Sequence, residues 1–187
     1  MDAKTLENYA IGRTREILNE ARIKNIIPLK PTAVKIVEIF THGHEGDFTM
    51  FMQQNLGAWA CCHQSYVRAA IEIPRPVIQT FATLPYEQAT KCIQSIIAHE
   101  VAHVGDIRSI SHDEVFRQRV EKLGYGELED VIPRDQLREL SVLHFNIASD
   151  LLKERATEFS QISKIPFVGS VVEMYVDLLK ARMEHPT

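Results

Sequence analysis

His99, Glu100 and His103 stand in a His-Glu-x-x-His pattern inside the segment Ile96 to Tyr125, IIAHEVAHVGDIRSISHDEVFRQRVEKLGY. Residues four apart share one face of a helix, so the two imidazoles come close enough to hold one metal ion. Neutral imidazoles suit zinc, and a water on zinc can reach a pKa near 7. Glu100 is not a ligand in this pattern; it takes a proton from that water. Shuffling the same composition would produce the pattern about 0.03 times per chain. The pattern also falls late in a helix whose other face is apolar.

A catalytic zinc needs three protein ligands and one open position. His112 is the first candidate for the third. It follows His103 by nine residues. Ser111 and Glu114 have capping-box spacing, which predicts His112 in the first turn of a new helix, anchored by Phe116. Glu154 is the rival, because it continues the apolar face Leu140, Ile147, Leu151, where a carboxylate needs a partner. Tyr125 and His144 are candidate donors to an oxyanion. His42 and His44 read as a solvated loop. Cys62 and His63 are neighbours, and adjacent strand residues point to opposite faces, which argues against a thiolate pair. Cys61, Cys62 and Cys92 make no disulfide framework and read as free thiols.

These residues need elements to position them. An apolar stripe predicts a first helix over about Leu6 to Ile23, ended by Pro28 and Pro31. Ala33 to Phe40, Phe48 to Gln53, Ala58 to His63 and Tyr66 to Ile73 read as strands. Pro74 and Pro76 close that region. The motif helix starts near Pro85, with Thr83 as cap, and ends near Gly105. The next helix runs from Ser111 to the stop at Gly124. Another begins near Pro133, and a last covers about Val171 to Met183, with Met174, Tyr175 and Leu178 as its packed stripe. Phe40, Phe48 and Trp59 are assigned to the core. The order is helix, small sheet, then helices, an α+β layout.

The chain has 187 residues, 45% apolar and 25% charged, enough to build one packed domain rather than a disordered chain. A core over about 1–125 and a helical extension over about 133–187 are expected within that domain. The net charge of −4 and the pI of about 6.1 give no support to a broad duplex-binding face. No apolar run approaches a membrane span, and MDAKTLENYA has no signal-peptide h-region, so a cytoplasmic protein is expected.

The pattern His99-Glu100-x-x-His103, then His112, Phe116 and Leu123-Gly124, resembles the SprT-like metallopeptidases. The resemblance is specific over about Ile93 to Tyr125 and architectural over Leu6 to Ile73. It implies a zincin-like core, one zinc on His99, His103 and His112, Glu100 as catalytic base, and a protein or peptide substrate, in some members a protein on DNA. The chain differs in lacking a cysteine-rich zinc ribbon and in carrying Asp113 where the family has a small residue. With Glu154 as ligand, the chain would instead resemble a gluzincin; the other alternative is a zincin-fold protein-binding module that keeps zinc without turnover. If the strand Tyr66 to Ile73 lies at the sheet edge, fold analogy gives it the task of aligning a peptide by strand addition.

Overall fold

A computed structural model describes residues 1–40, 48–105, 112–163 and 168–184. His42, His44 and Ser111 lie outside the described residues. Helix α1 (Ala3–Ile23) begins at Asp2, whose carboxylate accepts the Thr5 N–H, and buries Leu6, Ala10, Ile17, Leu18 and Ala21. Three strands follow, β1 (Thr32–Val37), β2 (Cys61–Gln64) and β3 (Ala69–Pro74). Their order in space is β1-β3-β2, with β1 parallel and β2 antiparallel to β3. The condition for strand addition on β3 is therefore not met, because β3 is the central strand and both neighbours pair with it. The edge nearest the motif helix belongs to β2.

The fold is mixed α+β, with a small three-stranded sheet. Phe48 to Gln53 is not a strand but part of helix α2 (Phe48–Gly57). Phe48, Phe51, Met52 and Leu56 repeat at helical spacing, and that period prevails over a weak alternation. Asn55 then ties the chain leaving β1, accepting the Phe40 N–H at 2.8 Å and donating to its carbonyl at 3.2 Å. Phe40 is fully buried, as expected, while Phe48 and Trp59 are half-buried. Helix α3 (Arg75–Ala82) was not expected. Its prolines sit at the N-cap, Pro74, and at the second residue of the first turn, Pro76, where a missing N–H costs nothing.

The motif occupies the last turns of helix α4 (Tyr86–His103), whose opposite side buries Ile93, Ile97 and Val101. Pro85 is its N-cap. The Thr83 hydroxyl is used elsewhere, donating to the Thr80 carbonyl at the end of α3. Helix α5 (Glu114–Leu123) stops at Gly124, at φ 75°, as its sequence predicts. A short α6 (Leu128–Val131), α7 (Arg134–Ser163) and α8 (Val168–Glu184) complete the chain. Helix α7 packs on α2, α3 and α8. Met52, Phe145, Leu152, Val172 and Val176 form a second apolar cluster there. Of the stripe assigned to α8, Tyr175 packs on the second cluster, edge-on to Phe48 at 5.9 Å, but Met174 and Leu178 are exposed, and Val172 and Val176 are the buried residues.

Candidate metal centre

His99 and His103 project from one face of α4, and His112 reaches them from the segment just before α5. Asp113, not Ser111, caps α5: its carboxylate accepts the Phe116 N–H at 2.9 Å. His112 therefore precedes the helix rather than lying in its first turn. Ring centroids are 5.3 Å apart for His99 and His103, 4.8 Å for His99 and His112, and 5.3 Å for His103 and His112. One potential ligand atom from each histidine lies within 4.8 Å of the other two. Three imidazole nitrogens at about 2.0–2.1 Å from one tetrahedral ion would sit about 3.3 Å apart. Ring rotations on the order of 1 Å close that gap, so the donor set fits zinc.

Phe116 holds this arrangement. Its ring is buried and lies 4.8, 4.3 and 4.6 Å from the rings of His99, His103 and His112. Helix α5 is in turn tied to the end of α4, where Arg119 donates to the Ala102 carbonyl at 2.9 Å. Gly105 turns the chain away at φ 93°, and its N–H is accepted by Gln64 of β2 at 2.9 Å. The Gln64 amide also donates to the His103 carbonyl. The sheet edge and α5 thus both grip the end of the motif helix.

Two carboxylates serve the histidines differently. Glu127, which sequence reasoning missed, places Oε2 at 3.4 Å from His99 Nδ1. An ionised carboxylate only accepts, so this contact assigns the proton to Nδ1 and leaves Nε2 for a metal. Asp130 accepts the Glu127 N–H at 3.0 Å and steadies that residue. No short-range pattern around HExxH marks Glu127; its placement depends on the turn after α5. Burial lowers the His99 pKa, against the pull of Glu127, and favours the neutral ring that a metal needs. Glu100 is 8% exposed. Burial raises its carboxyl to about 8, and the Cys62 backbone N–H pulls it partly back.

Beside His99 and Glu100 opens a cavity of about 270 Å³. Gly57, Ala58 and Ala60 form one wall, Ser95 and Ile96 of α4 another, and Glu127 and Glu129 the rim. Trp59 also lines it, stacked on Phe81 at 5.1 Å.

Other expected roles fall away. Glu154 is exposed on α7 and stands outside the histidine group. The Tyr125 hydroxyl donates to Glu20 at 2.8 Å and accepts from Arg13 at 2.9 Å, so it is committed to α1. His144 is buried against Trp59, with ring centroids 5.0 Å apart, and does not line the cavity. Cys61, not Cys62, shares a face with His63, its sulfur 3.9 Å from Nδ1. Burial pushes the Cys61 thiol up to about 12 and raises Cys62 further, which removes a thiolate nucleophile. All three cysteines are free.

No family model, no curated protein and no solved structure matches the chain. Among the described residues, no helix is long and apolar enough to cross a membrane.

Proposed function

We propose that the chain is a zinc-dependent metallopeptidase, with His99, His103 and His112 as ligands and Glu100 as general base. The observation that carries this reading is the convergence of three histidines beside a buried glutamate, with His99 and Glu100 lining a cavity. A structural zinc site normally closes with a fourth protein ligand. The group found among the described residues has three members, which favours catalysis. The helix, small sheet and motif-helix order supports a zincin-like core similar to that of the SprT-like metallopeptidases.

Zinc bound there would supply a polarised scissile carbonyl and a water of lowered pKa. The chain's own groups do the rest. Glu127 keeps the His99 ring in the tautomer that presents Nε2. Glu100, held by the Cys62 N–H, accepts the proton of the attacking water and passes it to the leaving amine. The same burial that raises its pKa makes its carboxylate a stronger base. An extended peptide would lie along Gly57 to Ala60, the approach to β2, which walls the cavity opposite α4.

Purified protein should hold close to one zinc per chain. Glu100→Gln should keep that zinc and cleave a mixed peptide library at least about 10²–10⁴-fold more slowly. Chelation should stop the wild type, and added zinc should restore it. A chain that neither contains nor takes up zinc overturns the reading. A Glu100→Gln variant as fast as wild type overturns the assignment of the base.

A further inference from the structure

The cavity beside the histidines is one-sided in charge. Among the described residues, three acidic side chains line it, those of Glu100, Glu127 and Glu129, and no lysine or arginine does. Glu100 is buried against the Cys62 backbone and Glu127 is turned to His99. Glu129 is different. It is exposed at the rim and has no ion-pair partner among the described residues. The facing wall is built from Gly57, Ala58 and Ala60, which leave room for a long side chain and place no positive charge against it. The cavity is large enough for one residue of a substrate and opens directly beside the proposed catalytic groups. A basic side chain entering it could lay its methylenes along Ile96 and the small-residue wall and keep its charged end near the two rim carboxylates.

We propose that this cavity selects a cationic group on the substrate, next to the bond to be cut, with Glu129 and the remaining oxygen of Glu127 as its counter-charges. The proposal rests on the peptidase reading for the position of that bond, not for the binding itself. The shared chemistry is a protonated amine or guanidinium. A lysine or arginine side chain carries it, and so does a free peptide N-terminus. An acidic group at the same place meets like charge and is rejected. Exposed ion pairs are weak and screened by salt, so a discrimination of roughly fivefold per carboxylate is expected at low ionic strength.

Trp59 is the one tryptophan of the chain and lines the cavity, so its fluorescence reports occupancy without turnover. The zinc-loaded Glu100→Gln protein is titrated with Ala-Lys-Ala-Ala, Ala-Ala-Ala-Ala and Ala-Glu-Ala-Ala, each with a free or an acetylated N-terminus. The lysine peptide should bind about fivefold or more tightly than the neutral one, and the glutamate peptide more weakly still. Salt at 0.5 M should compress the spread. Glu129→Lys should invert the order of the lysine and glutamate peptides, and Glu129→Gln should flatten it. A preference for the lysine peptide that survives acetylation assigns the side chain; tighter binding of free than of acetylated peptides, whatever the sequence, assigns the terminal amine. Equal binding of all three sequences, free and acetylated, or an unchanged order in Glu129→Lys, overturns the proposal. Cleavage of the same peptides by wild type is followed separately. Charge-selective binding without cleavage keeps this proposal and counts against the peptidase reading. Cleavage without charge preference does the reverse.

Discussion

Phe116 shows how a single residue organises the site. An aromatic ring in contact with three imidazoles limits their rotations, so little ordering remains to be done when an ion arrives. The convergence of the histidines also separates the two candidates for the third ligand. His112→Ala should weaken zinc binding strongly, and Glu154→Ala should leave it unchanged, as read by competition with a chromogenic chelator. A loss of zinc in Glu154→Ala, with His112→Ala intact, would move the metal to the other site. Glu127 acts through His99 rather than on the metal. Glu127→Gln can still accept a hydrogen bond from Nδ1–H, but without charge, and Glu127→Ala cannot. Zinc affinity should fall by about 10–100-fold in Glu127→Ala and by less in Glu127→Gln. Equal affinity in wild type and Glu127→Ala would show that the 3.4 Å contact has no effect on the ligand.

At the scale of elements, the site depends on how α4 ends and α5 begins. The Asp113 cap fixes the first turn of α5 and with it the direction of His112. Asp113→Ala should cost about 1 kcal/mol in urea denaturation and should also weaken zinc binding. A distant cap such as Asp2, replaced by alanine, should cost a similar stability and leave zinc affinity alone. Gly105 is the other constraint. At φ 93° a side chain is strained, and a Cβ there would lie 2.3 Å from Cγ and 2.5 Å from Cδ of Pro28. Gly105→Ala should destabilise the fold by roughly 1–3 kcal/mol. A variant with an unchanged urea midpoint would mean that Pro28 and the turn move aside freely.

Over the whole molecule, α7 joins the second apolar cluster to the sheet. Arg155 pairs with Glu38, which also meets Arg75 at 3.3 Å, and Arg75 reaches Glu7 of α1 at 2.8 Å. His144 is the buried titrating group of this junction, 1% exposed, and burial lowers its pKa to about 4, with the Pro76 carbonyl opposing weakly. The unfolded chain takes up this proton near pH 6.5, and the folded chain only near 4. Its contribution to stability is therefore complete above about pH 6.5 and is lost as the pH falls toward 4. Between pH 7 and 4.5 the wild type should lose about 2 kcal/mol more than His144→Phe, which keeps the ring packing on Trp59 without a proton site. Parallel losses in the two proteins would remove His144 as the source.

Helix α4, its two histidines and Glu100 were legible because helical spacing is local: four residues make one turn wherever the helix sits. The same holds for the Gly124 stop and for the anchor at Phe116. The strand expected at Phe48 to Gln53 failed because a short apolar run satisfies either period, and packing against Phe145 and Leu152 selects the helix. The outward turn of Met174 and Leu178 in α8 has a similar cause: which face of an element is buried depends on what packs against it. Glu127, the cavity and the central place of β3 lay beyond any local pattern. They arise where the α5–α6 turn, the Gly57 to Ala60 segment and α4 meet, far apart in the chain. Sequence alone determined which side chains could hold a metal and donate or accept a proton. Tertiary structure decided which of them meet, since convergence depends on long-range packing that no spacing encodes.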